Sequence, residues 1–332
     1  MEKSVEKKTR AMGTQKLVAI VAMVALFIFF SIFGKGFFKY STIVSVFDSA
    51  YYIGFMAIGV TFVIITGGID LSIGTLCICC SLIGGTLYQA GVPMAVALIL
   101  IIVIGGVFGL ANGLMVSVMG LPAFIATLGT MMITRGLGSI VTGTASVSFP
   151  MGDEAGAWFK NIFKFQPDWL PQNMAAGIPT GFILLIVLAI IMAIILNKTR
   201  PGRYILALGS NKEATRLSGV NVVKWETLAF IISGLFAALA GISYAAINVT
   251  LMPGTGNGFE LDAIAGVVIG GTSLSGGVGS IAGTLIGVFI MAILKTGLPF
   301  VGLQPHYQLF ITGFVLIIAV FADVANRKKQ GN

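Results

Sequence analysis

Residues 259–287 read FELDAIAGVVIGGTSLSGGVGSIAGTLIG. Two carboxylates, Glu260 and Asp262, stand at the head of an apolar tract dense in glycine. Glycine has no Cβ, so a tract of this kind serves close backbone packing and changes of chain direction rather than helix propensity. The acids complement the positive end of a helix that starts there. Because they sit two apart they point to different faces, which makes them a poor acid–base pair. The apolar segment 260–272 is too short to cross a bilayer unaided and is expected to be a half-helix that breaks at Gly270 and Gly271, with Ser273 just beyond.

The rest of the chain is made of similar material at membrane length. Of its 332 residues 57% are hydrophobic and only 10% charged, and the mean hydropathy is +1.00, more apolar surface than one soluble core can bury. The fold class expected is therefore all-α and polytopic transmembrane, and a soluble enzyme is a poor competitor. The net charge of +8 does not point to nucleic acid, because the basic residues fall in separate clusters beside apolar segments. Cys77, Cys79 and Cys80 lie in an apolar run with no histidine nearby and read as small buried hydrophobes, so no metal site or disulfide is expected. The single histidine, His306, falls at a span boundary. With one histidine and no phosphate-binding loop, the usual hydrolytic sites cannot be assembled and the chain is not expected to be an enzyme.

A bilayer core of about 30 Å needs about 20 helical residues. Apolar segments lie at 17–33, 49–66, 71–89, 93–118, 122–143, 179–197, 224–246, 260–272, 279–297 and 305–323. About ten spans are expected, within a range of about eight to eleven. The N-terminal charge pattern resembles a signal peptide, but residues 34–38 offer no small-residue cleavage site, so the first segment reads as a retained helix. No linker or composition shift divides the chain. One transmembrane domain, 17–323, is expected between cytoplasmic tails at 1–16 and 324–332. This orientation also puts the basic loop 198–224 inside, as the lysine and arginine bias requires. Outside it leaves one long loop, 144–178, whose Asp153, Glu154, Asp168, Trp158 and Trp169 fit either a partner contact or an interfacial aromatic belt.

Within the spans, Gly105, Gly109 and Gly113 recur every fourth residue, as do Gly279, Gly283 and Gly287, each trio marking a helix face for close packing. Gly67, Gly68, Asp70 and Ser72 form GGIDLS, which shares the pattern G-G-x-x-L-S with residues 270–275. Asp70 reads first as a cap of the third helix and otherwise as a polar group at a broken helix on a substrate path. Arg135 is expected to need a partner, and Lys295, near a span end, to snorkel. Residues 211–219 read as a short surface helix, with Asn211 as cap, Glu213 in the first turn, Ala214 and Leu217 three apart, and Gly219 as stop.

Three blocks carry a resemblance: the opening stretch 259–287, RYILALGSNKEATRLSGVNV at 203–222, and TFVIITGGIDLSIG at 61–74. They resemble bacterial ABC importer permeases of the ribose/xylose/galactose group, over nearly the whole chain. The resemblance implies a type II-like importer fold in the cell (inner) membrane, working as a homodimer. It implies a cytoplasmic ATP-binding subunit carrying ATP and Mg, so that this chain needs no cofactor, and an extracytoplasmic sugar-binding protein. It implies that Asn211, Glu213, Ala214, Arg216, Leu217 and Gly219 form the helix that couples to the ATPase. The alternatives are an ion-gradient-driven secondary transporter, a related permease for branched-chain amino acids, and, least of all, a membrane-embedded enzyme.

Overall fold

The computed structural model describes residues 2–167 and 169–331, without the side chains of 2–16, 305, 308, 319 and 322–331. Asp168 and the side chains of both terminal basic clusters lie outside the described residues. Among the described residues twelve α-helices run in chain order: α1 Glu2–Phe33, α2 Tyr40–Ile65, α3 Ile73–Gln89, α4 Met94–Ser117, α5 Ala123–Val141, α6 Gly181–Lys198, α7 Arg200–Ser210, α8 Lys212–Leu217, α9 Val222–Ile247, α10 Phe259–Ile269, α11 Ile281–Gly297 and α12 Pro305–Gly331. The chain is a polytopic helical membrane protein. Among the described residues six segments are long and apolar enough to cross a bilayer: α2, α4, α5, α6, α9 and Ile281–Val301. Leu17–Phe33, Ile73–Gln89 and Leu309–Ile318 are shorter apolar helices.

Every expected apolar segment coincides with a helix, and the differences lie at α2, at α7 and at the two ends. The second helix begins at Tyr40, nine residues before the apolar run, because Tyr40, Ser41, Thr42 and Ser45 lie on its early turns without breaking them. α7 occupies what reads as loop: Pro201 starts it, and Ile205 and Leu208 are buried three apart. At the ends, α1 and α12 continue into the segments read as tails.

The helices form a buried centre and an apolar periphery. α2 has 89% of its most apolar window buried, and α9 and Ile281–Val301 each 67%, whereas α4, α5 and α6 have only 28%. A helix that is apolar all round yet mostly uncovered fits hydrocarbon outside the protein. The centre is held by backbone-to-backbone packing. A Cβ built on Gly105 would collide with Gly234 O, one on Gly109 would lie 2.5 Å from Phe230 O, and one on Gly113 2.8 Å from Thr227 Cα. As α4 advances, its partners on α9 recede in sequence, so the two helices are antiparallel. α10 and α11 pair in the same way: Cβ atoms on Gly283 and Gly287 would collide with Gly270 O and Gly266 O. Gly279 does not share that face: it precedes α11, which Ser280 caps, and a Cβ there would lie 2.5 Å from the Ile65 side chain of α2.

The long connection 142–180 folds down against the helices. Val147–Ser148 pairs antiparallel with Thr250–Leu251. Phe159 and Phe163 are buried, Tyr88 Oη donates to Ala155 O, and Lys164 Nζ lies 2.6 Å from Asp48 Oδ2 on α2. Trp158 and Trp169 stay exposed.

Candidate functional site

Two interruptions inside the helical body and one exposed short helix carry the polar groups of interest. The first interruption follows α2. Gly67, at φ +87°, ends the helix, with Gly67 N donating to Ile64 O at 2.9 Å and Gly68 N to Val63 O at 3.2 Å. Only glycine enters that conformation without strain. The chain then stays non-helical until Ile73, through a segment whose Asp70 and Ser72 are fully buried.

Non-helical backbone at such depth needs partners from the protein itself. Asp70 Oδ1 accepts from Ser72 N (3.0 Å) and Ser72 Oγ (2.6 Å), and Asp70 Oδ2 accepts from Ser233 Oγ on α9 (2.8 Å). Asn112 Nδ2 on α4 donates to Ser72 Oγ (3.0 Å), and Thr130 Oγ1 on α5 donates to Asn112 Oδ1 (2.5 Å). Leu71 N donates to Thr127 Oγ1 at 3.1 Å. Asp70 is therefore not the cap of α3. Ser72 occupies that position without a side-chain capping bond, and Asp70, two residues earlier, links the break to α9.

The second interruption follows α10, whose 11 residues rise about 16 Å. Gly271, at φ +90°, ends it: Gly271 N donates to Val268 O (2.9 Å) and Thr272 N to Val267 O (3.2 Å). Gly271 is thus the counterpart of Gly67, and the letter match between Gly67 and Gly270 is one residue out of register. Gly270 instead faces Gly283 on α11. Ser273 is buried, and its N–H donates to Val278 O at 3.1 Å. Ser280 Oγ accepts from Gly283 N (3.3 Å) and starts α11, and Thr284 meets Thr61 of α2 at 3.0 Å.

The carboxylates at the head of α10 have separate fates. Asp262 Oδ2 lies 2.6 Å from Lys295 Nζ, which also sits 4.8 Å from the Phe259 ring centre and 5.5 Å from that of Tyr52. Lys295, expected to snorkel, is paired within the protein: α10 and α11 run side by side and bring its ammonium to a carboxylate and two aromatic faces. Glu260 packs against Gly74, and its buried Oε2 has no hydrogen-bond partner among the described residues. Arg135 is exposed on α5 and makes no contact ion pair among the described residues; the carboxylate its charge reaches is Glu260, at longer range.

The exposed helix is α8. Asn211 Oδ1 accepts from Ala214 N at 2.9 Å, and Gly219, at φ +78°, follows its end. Glu213 and Arg216 pair at 2.6 Å along its surface; the Arg216 hydrogen bond and charge hold the Glu213 carboxyl below the usual range, and those of Glu213 push the Arg216 guanidinium up. Leu217 is 76% exposed, so an apolar side chain projects from a charged helix. Thr215 is the buried face. Lys212, which the sequence reading passed over, reaches both oxygens of the buried Glu226 on α9 at 2.8 Å and fastens α8 to the body. Nothing in the sequence marks that pair, 14 residues apart across a turn. Among the described residues no cluster of three or more His, Cys, Asp or Glu is placed to hold a metal.

A helical body of membrane-length segments broken twice at positive-φ glycines, Gly67 and Gly271, with a fastened, exposed helix between spans, has the build of a membrane permease. Residues 42–320 match the family described as branched-chain amino acid transport system / permease component, and the chain belongs to that family. It is 35% identical to the ribose import permease protein of Escherichia coli K12 over 323 residues, 97% of this chain and 96% of that one. It is 38% identical to the ribose import permease protein of Bacillus subtilis 168 over 316 residues, 95% and 94% of the two chains. The fructose import permease protein of Bifidobacterium longum is 33% identical over 310 residues, 92% and 90%. No solved structure matches the chain.

Proposed function

We propose that the chain is the permease subunit of an ATP-driven importer that carries a monosaccharide, ribose-like in character, across the bacterial cell (inner) membrane as a multi-pass protein. The observation that carries this reading is 35–38% identity to ribose import permeases over 95–97% of the chain. The relatives named for sugars favour a sugar over the branched-chain amino acids of the family description. A gradient-driven carrier would need a free ionisable group along its path; Asp70 is occupied by two serines and Asp262 by Lys295, while Glu260 keeps one oxygen without a partner among the described residues, so it is the sugar-named relatives that weigh against such a carrier.

In this reading about ten spans cross the membrane with both termini inside, two copies of the chain enclose the path, and an extracytoplasmic binding protein delivers the sugar. ATP and Mg belong to a cytoplasmic partner, so this chain contributes no catalytic group. α8 is the docking element: Ala214 and Leu217 offer apolar contact, and Glu213 and Arg216 set its charge. Its fastening to Glu226 lets a push on α8 move the body rather than only reorient the helix.

The test is ATP hydrolysis and uptake of radiolabelled ribose by proteoliposomes containing the chain, its ATP-binding subunit and its sugar-binding protein. Hydrolysis that requires the ATP-binding subunit and rises with the ribose-loaded binding protein is expected. Ala214→Asp is expected to abolish ATPase docking and uptake while the protein still reaches the membrane. Uptake driven by an ion gradient without the partner, or normal uptake by Ala214→Asp, would refute the reading.

A further inference from the structure

The end of α7, two residues before the cap of α8, meets both helix breaks at one place. A Cβ on Gly209 would collide with Ile65 O, the last carbonyl of α2, and lie 2.5 Å from Gly277 N. Gly277 N itself donates to Ile65 O at 2.8 Å. A Cβ on Gly276 would sit 2.9 Å from Gly209 O and 3.0 Å from both Gly67 N and Ile65 O, and one on Gly277 would sit 3.0 Å from Ser210 Cα. Three chain segments, the ends of α2 and α7 and the α10–α11 connection, therefore touch backbone to backbone, with Gly67, Gly276 and Gly277 all at positive φ.

We infer that Gly209 and its backbone contacts to Ile65, Gly276 and Gly277 form the junction through which displacement of α8 is passed to both helix breaks at once. The inference rests on the reading of α8 as the docking element and names how the same site acts on the spans. A contact through long side chains takes up small displacements by changing rotamers. Here there are none to change. Movement of Asn211 passes through Ser210 to Gly209 and from there directly to Ile65 and the loop 270–280. From Ile65 the path leads through Gly67 to the Asp70 network. From Gly277 it leads through Ser280 to α11, where Gly283 bears on Gly270. Gly209 is a positioning residue: it lies behind α8, within α7, whereas Ala214 and Leu217 are exposed on α8.

Two variants of the complete proteoliposome system test this. A Gly-Gly insertion between Ser210 and Asn211 leaves α8 and the junction intact but adds up to about 7 Å of slack between them. Gly209→Ala alters the junction and leaves α8 untouched. Expected for both are wild-type binding of the ATP-binding subunit, retained ATP hydrolysis, and at least a tenfold fall in ribose taken up per ATP hydrolysed. A purely packing role would lower yield and both activities together, leaving that ratio unchanged. Wild-type uptake per ATP in the insertion variant overturns the inference even if Gly209→Ala fails to fold, as does loss of subunit binding by the insertion variant. If Ala214→Asp abolishes docking while both junction variants behave as wild type, the junction is wrong and the docking reading stands. If Ala214→Asp still docks and transports, the docking reading itself has failed.

Discussion

Replacing Lys295 with methionine keeps an unbranched apolar stem against Tyr52 and Phe259 but removes the charge facing Asp262. In the native fold the Asp262 residue is 7% exposed, and its Oδ2 lies 2.6 Å from Lys295 Nζ. Breaking a buried pair by removing one partner costs about 3–5 kcal/mol, because the remaining charge is left without compensation. Loss of the cation over the two rings adds about 0.5–2 kcal/mol. Removing both charges, as in Lys295→Met with Asp262→Leu, is expected to be neutral or stabilising by about 1–4 kcal/mol, since the desolvation of two ions also disappears. The single variant should therefore unfold far more readily than the double. The assay is a denaturant titration of the purified permease in nanodiscs, run on wild type, both single variants and the double. At about 1.4 kcal/mol per tenfold change in an equilibrium constant, Lys295→Met should shift the folding constant by roughly 2.5 to 5 orders of magnitude. A single variant within about 1 kcal/mol of wild type, or a double as unstable as the single, refutes a desolvated pair between α10 and α11.

Gly283→Leu is expected to separate α10 from α11 and abolish recovery of monodisperse protein, because even a Cβ there collides with the backbone of Gly270; size-exclusion of a fluorescent fusion checks it, and normal recovery removes the close-packing argument. The Glu213–Arg216 pair lowers the Glu213 carboxyl, so its contribution is complete above the ordinary carboxylate range and is lost only as pH falls through the lowered value. Binding of the ATP-binding subunit to nanodisc-held permease should then be unchanged between about pH 8 and 5.5 on account of this pair, given an ordinary glutamate pKa of about 4.3; a Glu213-dependent loss within that window, absent in Glu213→Gln, contradicts it.

The fold class was legible because membrane burial needs long apolar runs, and all the runs the sequence offers became helices. What the runs do not carry is which faces meet. Asp262 and Lys295 are 33 residues apart, and no local spacing announces their contact. Asp70 looked like a cap because its neighbours are glycine and serine, the residues that commonly precede helices. Only the position of α9, which brings Ser233 to 2.8 Å from it, shows the carboxylate joining two elements. α7 escaped notice for a different reason. Its composition is too polar for a span and its apolar face is short, so length and hydropathy both pass over it, although Ile205 and Leu208 are fully buried. Along α8 the reading was local, and local chemistry sufficed: an Asn cap, an acid in the first turn and a terminal glycine each act within a few residues.

Glycine shows where sequence stops being enough. Inside a helix it costs roughly 0.5–1 kcal/mol relative to alanine, so its presence calls for a structural reason. On α4 the reason is a backbone: Gly105, Gly109 and Gly113 each abut main-chain atoms of α9. Gly106, in the same helix, meets only the flexible end of Leu235, at 3.1 Å. On α5, Gly129 and Gly136 meet nothing within 4 Å. These glycines look alike in the sequence apart from their spacing, and it is the four-residue period that singles out the contacting face. The period fixes the face but not its partner, because α9 and α11 each offer a row of small residues of equal suitability. Register between distant helices is decided by the whole body, and the two breaks follow that rule. Gly67 and Gly271 end their helices in the same way, yet the first is held by side chains of α4, α5 and α9, while the second folds back so that Gly277 meets the end of α2. One six-letter pattern therefore serves two different attachments, and only their neighbours tell them apart.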